Sequence, residues 1–261
     1  MKLVHTVADW RQQRAEAGLG DDTIGFVPTL GALHAGHESL LRRSLAENRA
    51  TVLSIFLNPT QFDDPGDLTA YPGSFETDLE VARKLDVDYV FCPTPQEIYP
   101  GGYRYRVSES ELSTKLCGVH REGHFDGVLT VVLKLLQIVQ PTRAYFGEKD
   151  YQQLELVRGM AREFFLPTEI VACPTVRHVD GLAVSSRNER LSDAQRRLAP
   201  RFTELLASPA APAEVAKQLT ALGFEVDYIQ EYDARRYGAA RLGDVRLIDN
   251  LPLAHCLRAV S

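Results

Sequence analysis

The 261-residue sequence contains few cysteines, and no pattern joins them into a metal site or a disulfide framework. The four residues Cys92, Cys117, Cys173 and Cys256 are far apart and include no C-x-x-C pair. Such spacing is typical of free thiols in a reducing compartment. Cys92 and Cys173 each end a predicted strand, so we expect both to pack in or near the core.

Long apolar runs and basic blocks are also absent. No segment approaches the roughly 18 apolar residues of a membrane-spanning helix, and the segment from Met1 to Trp10 lacks the apolar core of a signal peptide. The 29 lysines and arginines are outnumbered by 35 acidic residues, which gives a net charge of −6. These features predict a cytoplasmic protein and argue against membrane and nucleic-acid partners.

The segment 26–37 indicates a nucleotide site of a particular kind, because neither a Walker-type G-x-x-x-x-G-K-[ST] loop nor a Rossmann-type G-x-G-x-x-G loop occurs. The segment predicts a buried strand that passes through a tight turn at Gly31 into a helix. The free amides of the helix's first turn, with the positive end of its dipole, would face an anion. His34 and His37 lie three residues apart, so both imidazoles can point at one phosphate group.

Two other interpretations of this histidine pair stay open at this point. The histidines could lie on the surface and cap the helix, or they could bind zinc. Zinc is disfavoured, because no third ligand of suitable type stands nearby and the pattern H-E-x-x-H is absent.

Apolar, β-rich runs alternate with helical patterns in the first two thirds of the chain. The predicted strands are Ile24–Val27, Thr51–Leu57, Tyr89–Cys92, Arg143–Phe146 and Glu169–Cys173. The predicted helices are Gly36–Glu47, Phe75–Leu85, Gly127–Val139 and Tyr151–Phe164. This alternation predicts an α/β fold with a Rossmann-like parallel sheet that is covered by helices on both faces.

The composition changes after residue 175, which predicts a catalytic domain over residues 1–175 and a smaller α+β domain over residues 176–261. We expect two helices and two short strands in the second domain, at Asp193–Leu206, Ala213–Leu222, Phe224–Ile229 and Val245–Ile248. The segment Arg246–Asn250 is interpreted as packing. The small domain is expected to close over the first as a lid.

Polar segments directly follow four of the predicted strands, namely His34–His37, Asn58–Phe62, Gly147–Asp150 and Pro174–Arg187. Parallel sheets bind ligands beyond the carboxyl ends of their strands, so we expect these segments to converge on one cleft. Their side chains include directional amides, a lysine suited to phosphate, and hydroxyls beside a guanidinium. The structural alternative for each segment is an ordinary turn, a capped helix or a linker.

Two neighbouring segments are interpreted as structural. The acidic loop Asp63–Asp67 is expected to be solvated, with a role in gating the cleft left open. His124 and Asp126 precede an apolar helical run, and Asp126 is expected to be its N-cap.

With these motifs in this order, the sequence closely resembles the pantoate–β-alanine ligase family of the nucleotidylyltransferase superfamily. The resemblance is carried by P-T-L-G-A-L-H-A-G-H, F-L-N-P-T-Q-F, Y-F-G-E-K-D-Y-Q-Q and V-S-S-R-N, and it covers nearly everything from Gly25 to Asn250. It implies that pantoate attacks the α-phosphorus of ATP to give pantoyl adenylate and pyrophosphate, and that β-alanine then displaces AMP. It also implies Mg²⁺ on the phosphates, and the family is typically homodimeric.

The resemblance further implies roles for individual residues. The implied ATP site comprises Leu30, Gly31, Ala32, Leu33, His34, Ala35, Gly36, His37, Gly147, Glu148, Lys149, Asp150, Val176, Val184, Ser185, Ser186 and Arg187. His34, His37 and Lys149 are the residues expected to be catalytic, with His37 as a proton donor. Gln61 and Gln153 would hold pantoate, with Gln61 also facing β-alanine and Asn58 close by.

Five positions depart from the family's usual pattern. Leu30 and Val184 replace methionines, which keeps the lining aliphatic. Gly73 stands where arginine is common, Glu122 where proline is common, and Arg190 where tyrosine is usual. The second domain is also shorter than is typical.

Two hypotheses from other functional classes stay open. A nucleotidylyltransferase with a phosphorylated small-molecule acceptor would use the same histidines, but Gln61 and Gln153 are neutral where such an acceptor is better bound by Arg or Lys. A nucleotide-binding regulatory module would not need both histidines, Lys149 and the Ser-Ser-Arg loop together.

Overall fold

Two sheets form the framework of the protein, whose computed structural model describes residues 1–20, 24–63 and 65–256. The strands are β1 (Lys2–Val4), β2 (Ile24–Thr29), β3 (Ala50–Ile55), β4 (Tyr89–Phe91), β5 (Arg143–Gly147), β6 (Glu169–Cys173), β7 (Glu225–Tyr232), β8 (Arg235–Leu242) and β9 (Val245–Pro252). The helices are α1 (Val7–Glu16), α2 (Ala35–Glu47), α3 (Pro65–Thr69), α4 (Phe75–Lys84), α5 (Pro95–Ile98), α6 (Cys117–His120), α7 (His124–Val139), α8 (Tyr151–Glu163), α9 (Asp193–Leu198), α10 (Pro200–Ala207), α11 (Pro212–Ala221) and α12 (Leu253–Cys256).

The larger sheet is parallel throughout and has the strand order β1-β4-β3-β2-β5-β6. The chain leaves β2 toward β3 on one side and later returns to add β5 on the other. The carboxyl ends of β2 and β5 therefore flank a switch point, where open α/β sheets bind ligands. The Rossmann-like prediction is confirmed.

Both faces of this sheet are buried, because successive residues of a strand point to opposite sides. Phe26 packs in a cluster with the apolar α7, whereas the next residue, Val27, packs with Leu40 and Leu41 of α2. The strand β2 and the helices α2 and α7 are therefore hydrophobic on the sides that face the core. The helices predicted on both faces are present.

The smaller sheet is antiparallel, with the order β7-β8-β9, and α10 and α11 pack on it. Gly238 of β8 lies so close to Phe202 and Leu206 of α10 that an added Cβ would lie 2.9–3.1 Å from their side chains. Tyr228 and Tyr237 of this sheet also belong to the core cluster of the parallel sheet. Apolar contacts therefore cross residue 175, and the division into two domains there stays a prediction.

The structure corrects three details of the sequence analysis. The single helix predicted at 193–206 is two helices, α9 and α10, because Pro200 lacks the amide that would continue the first. Asp126 is not the N-cap of α7, since Gly123 with φ 73° holds that position and Asp126 lies in the first turn. The strands β1 and β8 were not predicted.

The four cysteines are free thiols, with Cys117, Cys173 and Cys256 buried and Cys92 half-buried, which confirms the expected packing of Cys92 and Cys173. Across the three described ranges, no helix has the length and apolar character that a membrane crossing requires.

Candidate active site

A cavity of about 580 Å³ lies at the carboxyl ends of the parallel strands. The residues that follow β2, β3, β5 and β6 all contribute to its lining, so the four polar segments converge as expected. Arg241, Asp244 and Arg246, from the hairpin of β8 and β9, also line it.

Most of the candidate ATP-binding residues line this cavity, namely Leu30, His34, Gly36, His37, Gly147, Lys149, Asp150, Val176, Val184, Ser185, Ser186 and Arg187. The candidate pantoate-binding residues Gln61 and Gln153 line it as well. The remaining candidates neighbour these residues in the sequence but are not part of the lining: Gly31, Ala32, Leu33, Ala35, Glu148 and Asn58.

The turn that precedes α2 is held by a buried carboxylate. Gly31 and Ala32 have φ values of 92° and 53°, which is strained for alanine. Asp78 of α4 accepts hydrogen bonds from the amides of Ala32 (2.9 Å) and Leu33 (2.7 Å). Burial raises the pKa of Asp78, and these amide hydrogen bonds oppose the rise. Gly31, Ala32 and Leu33 thus shape the turn, and sequence reasoning missed Asp78 because it lies 45 residues further along the chain.

His34 is the N-cap of α2, so the capping interpretation describes its position. Its Nδ1 accepts a hydrogen bond from the Gly36 amide at 3.1 Å, which places the remaining ring hydrogen on Nε2. The His34 and His37 rings stack with 4.0 Å between their centroids. Within the described part of the chain, no hydrogen-bond partner meets the buried Nδ1 of His37. The pair therefore retains donor and acceptor capacity for a ligand in the cavity.

The pKa values of both histidines lie well below 7, so both rings are neutral at that pH. Burial, followed by the nearby charge of Lys149, lowers the pKa of His34 to about 4. Burial, followed by His34 and then Lys149, lowers the pKa of His37 to about 3. An anionic phosphate beside them would act in the opposite direction.

Gln61 is oriented by a network of hydrogen bonds, of which the sequence analysis had identified Asn58 but not Tyr99. The fully buried Asn58 donates from Nδ2 to Gln61 Oε1 (3.1 Å) and accepts from the Tyr99 hydroxyl (2.8 Å). This bond occupies the amide oxygen of Gln61, so its amide nitrogen is the part that can donate to a ligand. Asn58 therefore lies behind Gln61 and positions it.

His124 supports the same turn from the start of α7. Its Nδ1 donates to the Gln61 carbonyl oxygen (2.7 Å), while its Nε2 accepts from Arg121 (3.0 Å). The second contact requires the neutral imidazole, because a protonated Nε2 has no lone pair with which to accept. Burial and the Arg121 charge lower the pKa of His124 to about 3, in agreement. These hydrogen bonds give His124 the structural role that the sequence analysis expected.

Lys149 and Asp150 are presented by a 3-10 turn after β5. The Lys149 Nζ lies 3.6 Å from Asp150 Oδ2, and both side chains line the cavity. Asp150 occupies the N-cap position of α8, but its side chain makes no capping hydrogen bond. Its carboxylate is therefore available beside the lysine.

The loop after β6 is tied to the acidic segment by ion pairs. Asp67 accepts from Arg187 (2.7 Å) and from Arg190 (2.9 Å). Burial raises the pKa of Asp67, but the hydrogen bonds from the two arginines outweigh it, so the pKa is lowered. The expectation of a merely solvated acidic loop is wrong for Asp67 and for Asp63, which pairs with Arg121 at 2.8 Å. Asp64 lies outside the described residues.

Sequence reasoning also missed Tyr71, which lines the cavity and hydrogen-bonds to the Ser186 side chain. The opposite charges of segments 63–67 and 187–190 are the sequence signal that could have paired these loops. Among the residues with described positions, no group of three or more His, Cys, Asp or Glu side chains could hold a metal ion.

Comparison with known proteins gives a consistent result. The family model described as pantoate-beta-alanine ligase matches residues 2–252. The pantothenate synthetase of Bdellovibrio bacteriovorus is 52% identical over 244 residues, which are 94% of this chain and 95% of the relative. That of Coxiella burnetii is 49% identical over 253 residues, 97% of each chain.

Solved structures agree in fold and length. The pantoate-beta-alanine ligase of Francisella tularensis, complexed with beta-gamma ATP and beta-alanine, has a TM-score of 0.92 and 40% identity over 97% of both chains. The pantothenate synthetase of Thermus thermophilus has a TM-score of 0.88 and 41% identity over 97% of this chain and 99% of that one. The chain is therefore an enzyme that belongs to the pantoate–β-alanine ligase family.

Proposed function

We propose that the protein joins pantoate to β-alanine with ATP, through an enzyme-bound pantoyl adenylate, and releases pyrophosphate and AMP. The observation that carries this proposal is that one cavity is lined by two chemically different sets of residues. One set is the α2 N-terminus with its histidine pair, Lys149 and the Ser-Ser-Arg loop, and the other is the neutral amides Gln61 and Gln153. The complex of the Francisella tularensis relative with beta-gamma ATP and beta-alanine supports the pairing of these ligands.

The charged side suits the polyphosphate of ATP. The amides of the first turn of α2, His34 Nε2–H and Lys149 can all donate to phosphate oxygens. Ser185, Ser186 and Arg187 add hydroxyl and guanidinium donors from the opposite loop. Gly31, Ala32, Leu33, Ala35 and Glu148 act through the backbone that they contribute, and Val176 offers an apolar surface to adenine.

The first step makes an acyl adenylate. A carboxylate oxygen of pantoate attacks the α-phosphorus, and the bond from that phosphorus to the oxygen bridging to the β-phosphorus breaks, so pyrophosphate leaves with the electron pair. Negative charge grows on the leaving group, where His37 and Lys149 donate. Gln61 and Gln153 hold the attacking acid through hydrogen bonds without adding charge.

The second step uses the same cavity. The neutral amine of β-alanine attacks the acyl carbon, the bond from that carbon to the AMP oxygen breaks, and the amine nitrogen loses a proton to complete the amide. Gln61 would donate from its amide nitrogen to both acids in turn, because its amide oxygen already accepts a hydrogen bond from Asn58.

Magnesium fits this site as a companion of ATP. With no three-ligand cluster in the described ranges, phosphate oxygens would supply most of its ligands, as is usual for Mg²⁺, and the half-exposed Asp150 carboxylate is the protein group suited to join them. Bound there, the ion would neutralise phosphate charge.

The domains, the oligomeric state and the location of the enzyme are proposals as well. We propose that residues 176–261 form the smaller domain that closes over residues 1–175, that the enzyme is a homodimer, and that it works in the cytoplasm. The nucleotidylyltransferase alternative is disfavoured by Gln61 and Gln153, which do not match the charge of a phosphorylated acceptor.

The test is an endpoint assay for pantothenate and AMP from ATP, pantoate and β-alanine, with each omitted in turn. It is combined with exchange of labelled pyrophosphate into ATP. We expect exchange with pantoate and without β-alanine, because reversal needs only the first step. Pantothenate without any pantoate-dependent exchange would exclude the adenylate, and absence of AMP would exclude the reaction.

A further inference from the structure

Asn250 of β9 reaches from the smaller sheet to the turn that carries Lys149. Its side chain is buried, and Nδ2 donates to the carbonyl oxygens of Glu148 (2.8 Å) and Lys149 (2.9 Å). Its Oδ1 accepts two hydrogen bonds from Arg235, at 2.9 and 2.6 Å. Both polar atoms of the amide therefore have hydrogen-bond partners. The sequence analysis had assigned this segment to packing only.

The two carbonyls lie on either side of one Cα atom. The Glu148 carbonyl belongs to the peptide group before Lys149, and the Lys149 carbonyl belongs to the peptide group after it. Because peptide groups are planar, fixing both planes fixes the direction of the bond from Cα to Cβ. Asn250 therefore controls where the lysine side chain enters the cavity.

The orientation of Asn250 is itself determined. The Arg235 guanidinium lies 3.8 Å from the ring centroid of Tyr151, the first residue of α8. Asp249, which precedes Asn250 in β9, is also held in place. Its carboxylate accepts hydrogen bonds from Arg177 at 2.6 and 2.9 Å and from Thr203 at 2.8 Å. The amide cannot turn over without leaving Arg235 opposite a donor.

We propose that Asn250 is a positioning residue for Lys149, so that the placement of the lysine depends on the seating of the smaller sheet against the turn. The proposal rests on the proposed contact of Lys149 with the phosphates of ATP. Asn250 acts through the lysine and does not itself touch the nucleotide. A displacement of about 1 Å at a reacting group can lower a rate about 10²-fold, so a backbone clamp of this kind is expected to affect the reaction measurably.

A double-mutant cycle tests this coupling. Wild type, Asn250→Ala, Lys149→Ala and the double variant are compared by calorimetric ATP affinity and by pantoate-dependent pyrophosphate exchange. We expect Asn250→Ala to weaken ATP binding about fivefold or more alone, and less than twofold when Lys149 is already absent. Equal effects in both backgrounds would overturn the proposal, and so would a Lys149→Ala protein with unchanged ATP affinity. Wild type that binds ATP but shows no exchange would reject the adenylate mechanism and leave the ATP-affinity cycle valid.

Two further variants separate positioning from general loss of stability. Asn250→Ser keeps one hydrogen-bond donor and is expected to bind ATP with intermediate affinity. An affinity no better than that of Asn250→Ala would count against the donor role. The serine variant also replaces Asn250→Ala in the cycle if the alanine variant does not fold. Asn48→Ala is the matched control, because Asn48 also donates two hydrogen bonds, to Ser44 and Tyr145, but lies outside the cavity lining. It is expected to lower the melting temperature while ATP affinity stays as in wild type. A loss of ATP affinity in this control as large as that in Asn250→Ala would reduce Asn250 to a stabilising residue.

Discussion

The imidazole ring of His34 lies stacked on that of His37, with 22° between the ring planes. The stack places two groups of low pKa side by side, and protonation of either ring is opposed by burial and by the charge of Lys149, while protonation of His37 is opposed by His34 as well. Neutral rings can donate one hydrogen bond each without repelling Lys149. The arrangement is thus prepared for an anion that supplies the missing negative charge.

His37→Ala tests the role of this pair in turnover. We expect turnover to fall by about 10²–10³-fold, because the loss of one preorganised donor to a developing negative charge typically has that effect. The KM for pantoate should change far less, since the contact strengthens in the transition state. Steady-state kinetics measure both values. His5→Ala is the control, because His5 contacts the Cys92 carbonyl outside the cavity; near-normal turnover in His37→Ala would remove His37 from the mechanism.

Buried neutral histidines also predict how stability depends on pH. His34, His37 and His124 have folded-state pKa values of about 4, 3 and 3, below the value of 6.5 for the unfolded chain. Above pH 6.5 neither state is protonated at these sites. As the pH falls from 6.5 toward 4 the unfolded chain binds protons that the folded protein does not, so the free energy of unfolding decreases.

The expected decrease is roughly 1 kcal/mol per pH unit for each of these histidines. Urea unfolding of the unliganded protein at pH 7.5, 6.5 and 5.5 measures it, in a range where carboxylates contribute little. His37→Gln removes one titrating group and should flatten the slope between pH 6.5 and 5.5. Parallel curves for the two proteins would contradict the low pKa of His37.

The fold could be predicted from the sequence where the pattern is local. The runs around Phe26 and Val52 are largely apolar and almost entirely buried because both faces of the parallel sheet are covered, and the helices of this part of the chain have regular apolar spacing. The strand β8 was missed because Arg235, Gly238 and Ala239 are not strand-forming residues; it is held by pairing on both sides with β7 and β9.

The residues of the candidate site could likewise be predicted from the sequence only where the pattern is local. His34, His37 and Lys149 follow strands directly, so the general rule for parallel sheets brings them together. Asp78 and Asn250 act on those segments from 45 and 101 residues away, and no local pattern identifies either partner. Their roles depend on tertiary contacts, which a single sequence without its fold does not reveal.

Gly127→Ala tests the packing behind Gln61. A Cβ at this position would overlap the Thr60 carbonyl and lie 2.7 Å from the Gln61 Cα, so the turn must move. We expect pantoate to bind at least about tenfold more weakly and the protein to lose stability, since overpacking typically costs about 1–3 kcal/mol. Isothermal titration with pantoate and thermal unfolding measure the two effects.

Gly159→Ala in α8 is the matched control for that substitution, because nothing lies within 4 Å of the added Cβ. Alanine there should stabilise the helix by up to about 1 kcal/mol and leave pantoate affinity unchanged. If Gly127→Ala binds pantoate as tightly as Gly159→Ala does, the turn does not hold Gln61 in the way described.

Asp67→Asn tests whether the acidic segment competes with ATP for the arginines of the opposite loop. The Asp67 carboxylate is paired with Arg187 and Arg190, so phosphates must compete with it for either guanidinium. Asparagine removes the charge with little change of shape, so we expect the KM for ATP to fall severalfold at low ionic strength, and the difference to shrink as added salt screens the pairs. Asp180→Asn breaks a comparable pair with Arg196, at 2.6 Å, and is expected to leave the KM for ATP as it is. Steady-state kinetics at two salt concentrations compare the three proteins. An increased KM for ATP in Asp67→Asn would mean that the pairs order the loop for the nucleotide, and the competition described here would be wrong.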